Sequence, residues 1–131
     1  MRYSRRLTLV SIAWAVGMPA ALAAHNRPGT GDATESSAAR LRALIADRRR
    51  ARLFGREYRS QCPAESQPAI LTKLLCSGLG LDDAAPALWS RDRLLAALNS
   101  RVRAEFGRGD AVLIQGWVMA RSEARLCALF Y

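Results

Sequence analysis

The chain has little of what most protein chemistry needs. Its 131 residues include one His, three Cys and 11 acidic residues, against 20 basic residues of which only Lys73 is a lysine. The lone His25 cannot build a multi-histidine metal centre, and a zinc site made of protein ligands takes about four well-spaced donors. No C-x-x-C pair occurs, so redox chemistry of that type is not indicated. There is no P-loop, G-x-G-x-x-G, G-x-S-x-G or H-E-x-x-H pattern. Asp82 and Asp83 are the only adjacent carboxylates, and they sit in a loop ahead of a helix, where acids suit the helix dipole. General acid–base work needs carboxylates that converge in a pocket. The positive charge is almost all Arg, without the aromatic or groove-reading partners that a nucleic-acid reader shows. The expectation is a protein that is not an enzyme, carries no cofactor or metal, and does not bind nucleic acid.

What is present begins with a leader. Met1-Arg2-Tyr3-Ser4-Arg5-Arg6 is followed by an uncharged run from Leu7 to Ala24 that ends in Ala21-Leu22-Ala23. A basic start, an apolar middle and an A-x-A end make a secretory signal peptide, with cleavage expected before Ala24. The competing reading is an uncleaved anchor, for which the run is barely long enough, since a span takes about 20 residues. Ser4, Arg5, Arg6 and Leu9 also match the twin-arginine export motif S-R-R-x-F-L-K, with Thr8 and Val10 in place of its Phe and Lys. An ordinary leader of the general secretory route remains the alternative. Three of the positive charges lie in the leader, so the formal net charge of +9 falls to +6 for the rest of the chain.

Residues 24–34 hold two glycines, a proline and no large apolar side chain, the composition of a flexible tether. Residues 35–131 read as one mainly α domain of about four helices, with one short β-hairpin before the last. The first helix is predicted after Asp32, with Leu41, Leu44 and Ile45 as its apolar stripe and an end or bend near Gly55. Arg48, Arg49, Arg50 and Arg52 interrupt that stripe as a basic cluster, a solvated face or a surface for anionic lipid or an acidic partner. Pro68 opens the second helix, whose apolar face is Ile70, Leu71, Leu74 and Leu75 and which Gly78 closes in the left-handed conformation. Ser90 caps the third, whose core face is Leu94, Leu95, Leu98, Val102 and Phe106 and which Gly107 ends. Ala111–Met119 is the only β-like stretch, with Gln115-Gly116 as a two-residue turn. Leu126, Cys127 and Phe130 share one face of the last helix.

Three cysteines in an exported chain allow one disulfide. With the apolar face of the second helix centred near Leu74, Cys76 points about 170° away from it. That leaves Cys76 on the exposed side, available to Cys62 or, alternatively, to another subunit, while Cys127 is buried as a small hydrophobe. A Cys62–Cys76 bridge would add about 3 kcal/mol of stability.

The stretch Gly116-Trp117-Val118-Met119-Ala120-Arg121-Ser122-Glu123-Ala124-Arg125-Leu126-Cys127-Ala128-Leu129 resembles the segment "DGW-hydrophobic-LSxTEARLCAL" of small exported proteins with twin-arginine-type leaders. Gln115 stands for the Asp and Ala120 for the Ser. A vaguer likeness covers the turn Gly55-Arg56-Glu57-Tyr58. Losing the Ser removes the N-cap that would pair with Glu123, so Ser122 is expected to cap a later start. In size, leader and helical content the chain is also similar to the small subunits of periplasmic flavin- or haem-linked sugar and alcohol dehydrogenases. That resemblance implies a helical, non-catalytic accessory subunit that uses the export machinery and escorts or stabilises a larger periplasmic oxidoreductase. The partner contact is expected at Trp117, Val118 and Met119, with core packing of Trp117 as the alternative. The alternative is a free-standing periplasmic protein that meets the envelope through Arg48, Arg49, Arg50 and Arg52.

Overall fold

The structure, a computed structural model, describes residues 30–81 and 88–131, with side chains from residue 36 onward. Ser4, Arg5, Arg6, Leu9, Ala21, Ala23, His25 and the Asp82-Asp83 pair lie outside the described residues. Five α-helices are seen among them: α1 Thr30–Arg42, α2 Arg48–Gln61, α3 Pro68–Gly78, α4 Arg91–Arg108 and α5 Arg121–Ala128. A 3-10 turn, Pro63–Glu65, joins α2 to α3. Strands β1 (Ala111–Ile114) and β2 (Trp117–Ala120) form an antiparallel hairpin between α4 and α5. The fold is therefore mainly helical with one short hairpin, as the hydrophobic pattern predicts.

The first helical stretch departs from the sequence reading at both ends. α1 begins at Thr30, inside the stretch read as tether, because a segment without large apolar residues carries no 3.6-residue signal. It stops at Arg42, and Asp47 opens a separate helix by accepting the Arg50 backbone N–H at 3.0 Å. The misplaced Arg48 of the apolar stripe marks this new start. Leu44 and Ile45 are buried, but from the turn between the two helices. α2 runs without a break through Gly55. Its buried face is Ala51, Phe54, Gly55 and Tyr58, at i, i+3, i+4 and i+7.

On α3 the apolar face is rotated by one residue. Leu71, Thr72, Leu75 and Cys76 are buried, whereas Ile70 is 38% exposed. Thr72 is tolerated inside because its hydroxyl donates to the Pro68 carbonyl at 2.8 Å. Pro68 occupies the first turn as expected, but the left-handed residue after the helix is Gly80 (φ 72°), not Gly78. α4 likewise runs past Gly107 to a left-handed Gly109 (φ 73°), where Asp110 N–H reaches the Glu105 carbonyl at 2.8 Å. Ser90 caps α4 through the Arg93 N–H, and Leu94, Leu98 and Val102 are buried.

The hairpin has the predicted two-residue turn, Gln115 (φ 48°) and Gly116 (φ 81°), with Ile114 opposite Trp117. Positive φ at both central residues matches the right-handed twist of the paired strands. Alternation along the strands puts Val112, Ile114, Trp117 and Met119 on one face. Ile114 and Met119 are fully buried there, and Trp117 and Val112 pack partly buried against the same core. The hairpin thus gains from the helices the stability that two strands alone lack.

α5 sits at the centre. It touches the other four helices and both strands. Six of its residues are buried (Ser122, Glu123, Ala124, Leu126, Cys127 and Ala128), and only Arg121 and Arg125 reach the surface. A short helix buried nearly all round is a core element. α2 comes closest to it at Gly55. A Cβ on that residue would stand 2.2 Å from the Cys127 carbonyl oxygen and 2.8 Å from the Ala128 Cα. The helices are in backbone contact there, and only glycine permits it.

Candidate functional site

Three features of the surface and the interior bear on function: a polar network around α5, an arginine-lined cleft at the start of α2, and the outer face of the hairpin.

The network joins α2, the 3-10 turn and α5. Tyr58 on α2 is fully buried and donates its hydroxyl to Glu65 Oε2 at 2.5 Å. Arg125 on α5 grips the same carboxylate with two hydrogen bonds, Nε to Oε2 and Nη2 to Oε1, each 2.9 Å. That paired guanidinium holds Glu65 down to about 2, with the Tyr58 hydroxyl helping and burial opposing. Burial drives Tyr58 well above the usual tyrosine range and its bond to Glu65 adds to the rise, so its hydroxyl stays protonated. One turn before Arg125, Arg121 donates Nε to Asp110 Oδ1 at 2.7 Å, which lowers Asp110 and raises Arg121. Every group in this network has its partner within it, so its work is to lock α5 against α2 and the 3-10 turn.

A second carboxylate completes the N-terminus of α5. Ala120 occupies the cap position and has no hydroxyl to offer. Ser122 does not cap a later start as the sequence suggests. Instead Glu105, fully buried on α4, accepts the Ser122 N–H at 2.9 Å and its hydroxyl at 2.7 Å. Arg101 neutralises Glu105 from one turn away at 2.9 Å. Glu123 turns back to accept the Ala120 N–H at 3.1 Å. A carboxylate borrowed from another helix thus satisfies donors that a local cap would have taken.

The cysteines correct the sequence reading. Cys62 is half-buried, Cys76 and Cys127 are buried, and the structure joins none of them in a disulfide. The one-residue rotation of the α3 face carries Cys76 into the core, away from the exposed side where a bridge to Cys62 was expected. Cys127 is buried as predicted, and desolvation pushes its thiol up to about 12, with the nearby Glu123 charge adding to the rise.

The residues expected to meet a partner divide. Met119 is fully buried, so it cannot serve as a contact, and Trp117 packs partly buried against the core. The period of two in a strand explains this: Trp117 and Met119 share the inner face. Val118 and the opposite Leu113 lie on the outer face, where Leu113 is 61% exposed. The Leu113 carbonyl is tied to α2 by the Gln61 side chain at 3.1 Å. Leu113 is the exposed residue that the sequence reading missed, and the alternation around the Gln115-Gly116 turn was the signal for it.

The basic cluster is also divided. Arg48 and Arg52, one turn apart on α2, line a cleft of about 410 Å³ with Arg42, Ala43, Leu129 and Phe130. Arg49 and Arg50 line a second, shallower hollow with Asp47 and Leu53. Arg50 is paired with Asp47 at 3.6 Å, both half-exposed, a contact worth little in water. No acidic residue occupies the first turn of α2. Among the described residues no group of His, Cys, Asp and Glu could hold a metal ion, and no helix is long and apolar enough to cross a membrane.

No protein-family model, curated protein or solved structure matches the chain.

Proposed function

We propose that this protein is an exported, non-catalytic accessory subunit that escorts or stabilises a larger periplasmic oxidoreductase. The observation that carries the reading is the hairpin. It is anchored on its inner face by Ile114 and Met119 and presents Leu113 outward at 61% exposure, with Val118 beside it. Leu113 and its cross-strand neighbour Val118 make an outward aliphatic pair, the surface that a partner would cover. The leader supports the same reading, because Ser4-Arg5-Arg6 resembles the signal of a route that carries folded cargo. The titratable groups around α5 are consumed in bonds that hold the fold, which suits a domain that binds and does not react.

The test is to recover the tagged chain from the periplasm of its native host. The expected result is a stoichiometric complex with a larger oxidoreductase, lost on Leu113→Asp while the helical content is kept. Elution of the unaltered chain alone, at monomer mass, would overturn the proposal. For export, changing Arg5 and Arg6 together to Lys is expected to abolish passage, and undiminished secretion would assign the general route.

A second reading has one observation in its favour. Arg48, Arg49, Arg50 and Arg52 are exposed together at the start of α2, a surface suited to peripheral contact with an anionic envelope.

A further inference from the structure

The outer face of α2 runs on into the outer face of the hairpin. Arg49, Leu53, Glu57 and Gln61 follow one another at steps of four residues, so they form a single row along α2. The row is about 18 Å long at 1.5 Å per residue. It ends on the hairpin, because Gln61 Nε2 donates to Glu57 Oε1 at 3.2 Å and to the Leu113 carbonyl at 3.1 Å. Leu53 is 44% exposed within the row, and Leu113 lies exposed beyond its end. Arg56 stands beside the row, two turns on from Arg49, and both arginines are exposed. We propose, resting on the accessory-subunit reading, that the larger partner docks along this row and meets it with a carboxylate-rich surface.

The charge of this face selects its occupant. From residue 48 to residue 56 α2 exposes five arginines, and the only carboxylates beside them in the chain are Asp47 and Glu57. Arg50 is taken up with Asp47. No acidic residue occupies the first turn of α2, where the helix dipole favours one. Arginines at that end are unfavourable to the helix by itself and become favourable opposite carboxylates, whose paired oxygens match a guanidinium. Arginine is also enriched where proteins meet one another. A lipid surface fits this face less well. A helix that lies on a membrane inserts its apolar side, and that side of α2, Ala51, Phe54 and Tyr58, is already buried in the fold. Glu57, in the middle of the row, would be set against anionic head groups, whereas a protein surface can place a donor opposite it. Joined to the hairpin, the row gives the partner an extended surface instead of one leucine, as an interface that buries about 800 Å² on each side requires.

The experiment treats the complex recovered from the native host with a water-soluble carbodiimide. Arg49→Lys and Arg56→Lys each keep the positive charge and supply an amine. An amide then forms between that amine and a carboxylate of the partner, and the oxygen lost from the carboxylate leaves in the urea made from the carbodiimide. Mass spectrometry is expected to find this inter-chain amide at both positions and none at Lys73, an exposed amine on α3. Changing Arg49 and Arg56 together to Glu is expected to weaken the complex at least tenfold. The change at Arg49 places an acid in the first turn of α2, which suits the dipole, so circular dichroism should show the helices kept. A complex that is lost on Leu113→Asp but indifferent to the double change, amides at Lys73 alone, or no amide at either introduced position would overturn the acidic docking row and leave the accessory-subunit reading standing. Recovery of no complex would overturn both. Binding of the full chain to phosphatidylglycerol vesicles that the double change abolishes, with the complex unaffected, would overturn the row as a protein contact and assign it to the envelope.

Discussion

Replacing Gly55 with Ala tests the central packing claim most directly. On an isolated helix the change would help, since Ala is favoured over Gly by about 1 kcal/mol in a helix interior. In the folded chain the new methyl would lie 2.2 Å from the Cys127 carbonyl oxygen, 2.6 Å from its carbon and 2.8 Å from the Ala128 Cα. All three are backbone atoms of a helix buried on nearly every side, so no side chain can swing away. Relief requires α2 and α5 to separate by about 1 Å, and a gap of that size forfeits a quarter to a half of each dispersion contact along the seam. Ala51, Phe54 and Tyr58 lose contact together, and the Tyr58–Glu65–Arg125 bonds are stretched with them. Overpacking of this kind costs about 1–3 kcal/mol, and backbone against backbone belongs at the upper end. After the helix-propensity gain, the net loss expected is about 2 kcal/mol. For a domain of this size that lowers Tm by roughly 8–16 °C. The assay is thermal and urea unfolding followed by circular dichroism, with Gly107→Ala as the control. Gly107 lies within α4 with nothing within 4 Å of the Cβ position, so the same substitution there is expected to stabilise by about 0.5–1 kcal/mol. If Gly55→Ala is as stable as Gly107→Ala, the close approach of α2 and α5 is wrong.

Three further outcomes are expected. Glu65 is held down to about 2 against an ordinary 4.5. A carboxylate whose folded value is depressed adds stability that is present above about pH 4.5 and lost as pH falls towards 2, here about 3 kcal/mol; urea midpoints measured across that window should fall, and Glu65→Gln should flatten the fall. Ala120→Ser restores a hydroxyl at the N-cap of α5 opposite Glu123 and is expected to raise unfolding stability by about 1 kcal/mol, whereas Glu105→Ala should lower it by about 3 kcal/mol because it leaves Ser122 and Arg101 without their acceptor. With iodoacetamide at pH 8, mass spectrometry should find Cys62 labelled in the native chain and Cys76 and Cys127 only after unfolding, since both are fully buried; early labelling of Cys76 would contradict the orientation of α3.

The helical class and the hairpin before the last helix were legible because they rest on local terms. Ser90 caps α4 with its own hydroxyl, Pro68 fits a first turn, and Gln115-Gly116 makes a turn that suits paired strands, whatever surrounds them. Burial of Leu94, Leu98, Val102 and Cys127 follows from their period along single helices. What failed was read from the right kind of signal with too little of it. Ile70 and Leu74 drew the apolar face of α3 one residue aside, and 100° was enough to move Cys76 from the core to the surface. The Arg48 that broke the first apolar stripe was the start of a second helix, and Asp47, its cap, carried no apolar pattern to announce it.

Other features have no local signal at all. Glu105 caps a helix seventeen residues away, and nothing near Glu105 in sequence distinguishes it from a surface acid. Arg121 and Arg125 look like the polar face of a solvated helix, yet they are the two points at which a buried helix is tied to Asp110 and Glu65. Gly55 looks like a break in α2 and is the contact that lets α5 into the centre. Arg42 is separated in sequence from Arg48 and Arg52 by a turn, and only the angle between α1 and α2 brings the three to one cleft. The sequence by itself determines most of the helical segments and the hairpin, because capping and periodicity act over a few residues. The tertiary structure decides which charges are buried, because burial depends on which faces meet, and that is set by contacts between residues far apart in the chain.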